Sequence, residues 1–336
     1  MTPRLQQLLD WARTELTDPS VQIEEIIADA STRRYVRVRG GTGPYIVMDA
    51  PAQVDTVRQF ARVGGLLAHT GVNVPALLGR DFSSSFILMT DFGRRTYLQA
   101  IESMPATPLY ADAIDTLLTF QRAGDFTQLP VYDESVLLRE MRLFPEWFLG
   151  RHLNIAVEPP VIDVLERCFA RICSECAAQP VTFVHRDYHS RNLMHVTHGN
   201  PGILDFQDAL QGPLTYDLVS LLRDVYVKWP DEQVDEWIDL YRCASPDLSG
   251  HVDADAFRQW FDWTGLQRHL KIAGLFARLN YRDGKSAYLG DIALALTYIE
   301  KVLGRYGEFD ELSTLLSELD VRRTHGAVLT NSGALS

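Results

Sequence analysis

Between residues 181 and 208, short apolar runs interrupt a chain that otherwise reads as helix from about residue 96 onward. Phe183-Val184 leads into a polar loop, His185-Arg186-Asp187-Tyr188-His189-Ser190-Arg191-Asn192, and the chain returns to apolar Leu193-Met194. Beyond the turn Asn200-Pro201-Gly202, the run Gly202-Ile203-Leu204 ends in Asp205-Phe206-Gln207-Asp208. Alternation of apolar strands with polar turns predicts that Asp187, Asn192 and Asp205 converge at the ends of neighbouring strands.

The rest of the pattern sets the fold class. Leu5, Leu8, Leu9, Ala12 and Leu16 fall near helical spacing, predicting a helix over 4–17. Val21 to Ile27, the alternating Val36 and Val38, and Tyr45 to Met48 predict three short strands, the last two joined by a Gly/Pro turn at residues 40–44. Val57, Phe60, Ala61, Gly64, Leu67 and Ala68 lie on one face of a following helix, over about 53–69. Val72 to Leu78 and Phe86 to Thr90 are further strand candidates. Helices are predicted at 109–123, 134–150, 161–178, 214–228, 231–244, 254–281, 286–304 and 310–323. The expectation is an α+β chain of two lobes. Residues 1–93 form a small, β-rich nucleotide-binding lobe and residues 94–325 a larger, mostly helical lobe for catalysis and acceptor binding. The small, polar residues 326–336 form a frayed tail.

Composition narrows the function classes. In 336 residues, 46% are apolar and 23% charged, so a substantial core is available and general disorder is excluded. A net charge of −12 argues against a nucleic-acid or anionic-membrane partner. No apolar run approaches the ~18 residues of a membrane span, and Met1 to Glu15 carries no signal-peptide core. A cytoplasmic monomer acting on a small molecule is expected. Cys173-x-x-Cys176 lacks a second ligand pair for zinc, so Cys168, Cys173 and Cys176 are expected to be reduced thiols packed on one helix.

Phosphoryl transfer from a nucleotide needs a carboxylate to orient the attacking hydroxyl and hard oxygen ligands to hold Mg²⁺ on the phosphates. Asp187 suits the first role, Asn192 and Asp205 the second. The motif His185-x-Asp187-x4-Asn192, followed by Ile203-Leu204-Asp205-Phe206, resembles the catalytic and metal-binding segments of the aminoglycoside phosphotransferase and choline kinase-like families. Those families share the protein-kinase-like fold, and Asp217 matches their structural Asp-Leu pair. A closer resemblance, over roughly residues 5–320, is to the N-acetylmuramate/N-acetylglucosamine anomeric kinases of peptidoglycan recycling. It is carried by Ala30-Ser31-Thr32-Arg33-Arg34-Tyr35-x-Arg37, Ile46 to Pro51, Leu143-Phe144-Pro145-Glu146-Trp147-Phe148, Leu204 to Ala209 and Gly265 to Lys271. The resemblance implies an ATP-dependent, Mg²⁺-requiring kinase. The nucleotide would lie between the lobes, Mg²⁺ on Asn192 and Asp205, and Asp187 would take the proton of the anomeric hydroxyl.

One departure is informative. Kinase-like folds place a Lys on the third strand, paired to a Glu on the next helix. Here that strand reads Ile46-Val47-Met48-Asp49, no Lys occurs before residue 200, and the helix contains no Glu. Arg33, Arg34, Arg37 and Arg39 crowd the segment before it without an acid among them, so one or two of these, with Ser31 and Thr32, are expected to hold the phosphates; a solvated strand face is the alternative. Asp91-Phe92-Gly93 spells DFG but precedes the catalytic loop, so Met89 to Asp91 is expected to form the hinge beside the adenine. Candidates for the acceptor are Glu140, Trp147, Asp208 and Arg268, against readings as core aromatics, charged helix faces or, for Asp208, a turn cap. An aminoglycoside, choline or homoserine acceptor is the competing enzyme reading. The missing Lys–Glu pair motivates a nucleotide-binding pseudokinase, against which all three motif residues speak.

Overall fold

The computed structural model describes residues 1–28, 33–123, 126–245 and 252–332. In chain order the elements are α1 (Pro3–Glu15), β1 (Gln22–Ala28), β2 (Arg34–Gly40), β3 (Gly43–Asp49), α2 (Val54–His69), β4 (Leu77–Asp81), β5 (Phe86–Thr90), α3 (Tyr97–Ala100), α4 (Ala106–Ala123) and α5 (Glu134–Met141). A π-helical turn, Phe144–His152, precedes α6 (Pro159–Ala178), β6 (Val181–Val184), β7 (Leu193–Met194), β8 (Gly202–Ile203), β9 (Leu210–Pro213), α7 (Tyr216–Leu222), α8 (Asp231–Ala244) and α9 (Ala254–Asp283). A 3₁₀ turn leads to α10 (Ile292–Leu303), α11 (Asp310–Glu318) and α12 (Val321–Ser332). Contacts group these into two compact units: Met1–Asp125 with Arg191–Ala209, and Phe126–Ser190 with Leu210–Ser336. The division therefore falls elsewhere than at residue 93, and the segment carrying Asn192 and Asp205 belongs with the N-terminal sheet.

The first unit is built on an antiparallel sheet of order β1-β2-β3-β5-β4. Val36, Val38, Val47 and Leu88 bury one face against Leu5, Leu8, Leu9 and Ala12 of α1. This is the period-two strand pattern meeting the helical stripe read from the sequence. The short hairpin β7/β8 pairs Leu193 with Ile203 and Met194 with Gly202. It is fastened to the same unit by bridges from Asn73 to Gly202 and from Thr96 to Met194. Gly202 is required there: a Cβ would stand 2.6 Å from the Phe92 ring. Phe206 closes the attachment, its ring 4.6 Å from that of Phe60 on α2.

The second unit surrounds α9, whose middle is buried on all sides, including Asp262, Gln267, Arg268, His269 and Lys271. Polar side chains in such a place require partners: Asp262 receives Arg223 and, at 2.6 Å, Arg305, His269 Nε2 lies 3.0 Å from the carbonyl of Arg223, and Arg268 and Lys271 join the network around Asp187 described below. Gly274 lets the backbone of Leu143 pass so close that a Cβ would meet its carbonyl carbon at 2.2 Å.

Several boundaries differ from expectation for identifiable reasons. Pro75 has no N–H for a ladder, and β4 starts after it, at Leu77. The helix expected over 134–150 stops at Met141 because Pro145 cannot continue its hydrogen bonds, and the chain winds on as a π-helix. The helix expected over 214–228 ends at Leu222, where Arg223 leaves the helical region at φ −117°, ψ 46°. Residues 326–332, expected to fray, extend α12 instead, and Leu329 is buried in the core of this unit. Cys168, Cys173 and Cys176 are buried free thiols, as expected, and Cys243 is exposed.

Candidate active site

Within the first unit a cavity of about 550 Å³ is lined by apolar side chains, including Ile27, Ile46, Met89, Met194 and Leu204, and by Arg37, Asp91, Asn192 and Asp205. A mostly apolar cleft with a few convergent polar groups is the usual form of a small-molecule site. Asn192 and Asp205 share this cavity because the backbone amide of Leu204 donates to the carbonyl of Asn192 at 2.9 Å. Asp205 adopts φ 60°, a left-handed conformation that is unfavourable for a residue with a Cβ. It is held there by Gln207, whose Nε2 donates to Asp205 and to exposed Asp208, each at 2.9 Å.

The four arginines of the 33–39 segment divide by partner. Arg34 lies on Asp49, at 2.6 Å, and that fully buried carboxylate also receives Arg4 at 2.7 Å. Arg34 does not line the cavity. Arg39 pairs with Glu24 and is more than half exposed. Arg37 does line the cavity, but Asp91 takes its Nε at 2.6 Å and its Nη2 at 3.1 Å. Glu25 takes its Nη1 at 2.8 Å, and the carbonyl of Gly93 accepts from Nη2 at 2.8 Å. The hydrogen bonds that Arg37 donates to Asp91, with the charges of Asp91 and Glu25, raise its pKa above the ordinary value despite burial. Arg33 donates to Asp205 at 3.1 Å. Met89 lies on the cavity wall, and Asp91 shapes the turn after β5 by accepting from the amide of Gly93 at 2.8 Å. Ser31 and Thr32 lie outside the described residues.

Two acids here had no signal in the sequence. A register irregularity between Ile23 and Glu25 in β1 brings both Glu24 and Glu25 to Arg94, while Glu25 also meets Arg37. Bulges re-aim side chains in this way, but a one-residue slip cannot be read from composition.

Asp187 belongs to the second unit. Its loop is held at both ends by carboxylates. Asp217 at the start of α7 accepts from the amides of His185, at 2.6 Å, and Arg186, at 2.9 Å. Asp224 accepts from the amide of Ser190 at 3.0 Å and from its hydroxyl. Burial pushes the Asp217 carboxyl up to about 7 against those two amides. Sequence reading missed Asp224 and Ser190, because the serine looks like any loop residue until its partner is placed.

Arg268 of α9 approaches Asp187 at 3.7 Å and donates to the carbonyl of Arg186 at 2.7 Å. Burial opposes ionisation of Asp187. The positive charges of Arg268, Lys271, His189 and Arg186 outweigh it and hold the carboxyl well below the ordinary carboxylate range. Behind the loop, buried Glu140 receives Arg186, Lys271 (3.3 Å) and the Tyr132 hydroxyl. Lys271 also donates to the Tyr216 hydroxyl at 3.3 Å. Glu140 and Arg268 thus join the surroundings of Asp187. Trp147 is half-buried against the core.

The model of the family described as "Phosphotransferase enzyme family" matches residues 22–256. The chain is 41% identical over 328 residues to a protein of Pseudomonas putida named N-acetylmuramate/N-acetylglucosamine kinase, covering 94% of this chain and 96% of that one. It is 40% identical to the protein of that name from Pseudomonas aeruginosa, covering 94% and 97%, and 39% to that from Neisseria meningitidis, covering 93% and 95%. Solved structures with the same fold include an ADP-bound aminoglycoside phosphotransferase (TM-score 0.59, 14% identity, 87% of this chain and 97% of that one). A choline kinase from Streptococcus pneumoniae matches with a TM-score of 0.59 and 10% identity, over 88% and 98%. Among the described residues no helix is long and apolar enough to cross a membrane. The α+β fold is therefore of the protein-kinase-like kind, and the chain belongs to the phosphotransferase enzyme family.

Proposed function

We propose that this chain is an ATP-dependent kinase that phosphorylates the anomeric hydroxyl of N-acetylmuramic acid or N-acetylglucosamine. The observation carrying this reading is the 39–41% identity, over nearly the whole chain, to three kinases named for those two sugars. The role belongs in the cytoplasm, where ATP is available, and needs no second copy of the chain.

The cavity of the first unit takes the nucleotide, with its base against the apolar wall that includes Met89. Asn192 and Asp205 suit a hard cation. They offer oxygen donors at the edge of that cavity, and the carboxylate already attracts a cationic group, Arg33. Among the described residues no three His, Cys, Asp or Glu side chains form a closed metal cage. An open pair suits Mg²⁺, which keeps several waters and shares phosphate oxygens. When bound, that ion would neutralise charge on the transferring phosphoryl group. Ser31 and Thr32, next to Arg33 in the chain, supply hydroxyls to the same phosphates. Arg34 and Arg37, each held by carboxylates, serve the architecture.

Asp187 orients the sugar hydroxyl and accepts its proton. Held well below the ordinary range, it is a weak base. That suffices where the transition state is loose and positioning does most of the work, and where the anomeric hydroxyl is more acidic than an ordinary alcohol. Glu140 and Arg268 hold this base in place. Asp208, exposed, is left as a direct contact for the acceptor.

Phosphorus NMR of the protein with MgATP and N-acetylmuramic acid tests the reading. A new phosphate doublet coupled to the anomeric proton is expected. Intact ATP with this sugar and with N-acetylglucosamine, but turnover with a cationic acceptor, would replace the acceptor. Intact ATP with every acceptor would point to the pseudokinase.

A further inference from the structure

The Arg33–Asp205 pair joins the one arginine of the 33–39 segment that meets a candidate metal ligand to that ligand itself. The guanidinium is 8% exposed and donates to Asp205 at 3.1 Å, while the carboxylate is one-third exposed and faces the cavity. Arg33 thus competes for the carboxylate that the proposed cation would use. A metal ion arriving alone must draw the one-third exposed Asp205 carboxylate away from a guanidinium that is itself buried, and that guanidinium then loses its ion pair, which is unfavourable for a buried charge. A nucleotide arriving with its metal removes that obstacle, because its phosphates offer the guanidinium a fork-shaped set of acceptors in exchange.

We propose that Arg33 is an exchangeable counter-ion. It neutralises Asp205 while the site is empty and moves to the nucleotide phosphates when the metal binds, so that metal and nucleotide load together and not separately. In the loaded state it would take over the phosphate-holding task of the missing third-strand lysine. This rests on the proposed nucleotide site.

Reciprocity gives the test. If Arg33 couples the two ligands, its removal must raise metal affinity in the nucleotide-free chain and lower affinity for the metal–nucleotide complex. Mn²⁺ is titrated into the full-length protein without nucleotide and followed by electron paramagnetic resonance. A non-hydrolysable ATP analogue is titrated with Mg²⁺ by calorimetry. Arg33→Met should tighten Mn²⁺ by about tenfold or more and weaken the Mg²⁺–analogue complex by about tenfold, within the usual range of coupling between sites. Adding Asp205→Asn to Arg33→Met should abolish the Mn²⁺ gain, locating the ion. Arg39→Met, in an exposed pair, should match wild type in both titrations. Unchanged Mn²⁺ affinity in Arg33→Met overturns the exchange, whatever happens to the nucleotide. So does an analogue that binds Arg33→Met as tightly as wild type. A wild-type chain that binds no analogue overturns the nucleotide site and the exchange with it, and is recognised before any variant is made. Should Arg33→Met not fold, Arg33→Lys keeps the charge without the fork: weak Mn²⁺ binding with impaired analogue binding supports the exchange, and wild-type analogue binding overturns it.

Discussion

Arg268 donates to the carbonyl oxygen of Arg186 at 2.7 Å, and Arg186, immediately before Asp187, holds its backbone at φ 78°. A left-handed conformation at a non-glycine residue costs on the order of 1–2 kcal/mol and persists only where the surroundings enforce it. Here Asp217 takes the amide, Arg268 the carbonyl and Glu140 the side chain. The same arginine is the strongest of the positive charges holding the Asp187 carboxyl down. Arg268→Ala is therefore expected to lower kcat by about 10–100-fold, as for a misplaced catalytic group, with nucleotide affinity unchanged. The acid limb of its kcat profile should move to higher pH, because the carboxyl returns toward its ordinary range. A profile whose acid limb stays in place would make Arg268 merely structural.

Asp187→Ala should remove the base and leave the nucleotide cavity intact, since the described residues lining that cavity all belong to the first unit. Turnover should fall at least about 10²-fold, the lower end for loss of a general base. Calorimetry should give near wild-type affinity for MgATP. Near-normal turnover would mean that another group accepts the proton.

The candidate site was legible where its residues are local in sequence, and less so where it depends on distant pairing. Asp187, Asn192 and Asp205 stand at short, fixed offsets between apolar runs, and the periodicities of α1, α2 and β1–β3 gave those elements within a residue or two. Which arginine meets which acid could not be read. Arg37 and Asp91 are 54 residues apart, and Arg33 and Asp205 are 172 apart. Nor could the attachment of residues 191–209 to the first unit, which rests on Asn73, Thr96 and Phe60. Pro145 and Pro75 did mark breaks, but hydrophobic spacing ran through both and masked them.

Arg37→Ala should unfold the sheet more readily before it affects chemistry. Its side chain is 5% exposed and that of Asp91 3%, so the substitution leaves Asp91 buried without its bidentate partner. Breaking a buried pair from one side costs about 3–5 kcal/mol. Urea denaturation should report a loss of that order. Arg39→Ala, whose pair with Glu24 is exposed, should lie within about 1 kcal/mol of wild type. Equal stabilities for the two variants would show that the Arg37 cluster contributes no more than a surface pair.

The stability of the second unit should fall on mild acidification, and two histidines identify the cause. His152 Nε2 and His325 Nδ1 lie 2.8 Å apart, and His152 Nδ1 lies 3.2 Å from the Tyr281 hydroxyl. The network assigns neutral rings, His152 donating to His325 and accepting from Tyr281. Burial lowers both to about 4, and for His325 the neighbouring His152 and Arg322 add to the effect. A histidine depressed by folding binds fewer protons folded than unfolded between its two pKa values. Its stabilising contribution is thus complete above about 6.5 and is lost as pH falls toward 4. Each histidine contributes a slope of at most about 1.4 kcal/mol per pH unit in that window. His325→Gln keeps a hydrogen-bonding side chain but cannot titrate. Urea unfolding at pH 5 and pH 7 should give it a smaller loss of stability on acidification than wild type. If both proteins lose the same amount, the acid sensitivity lies elsewhere and α12 is not held by this pair.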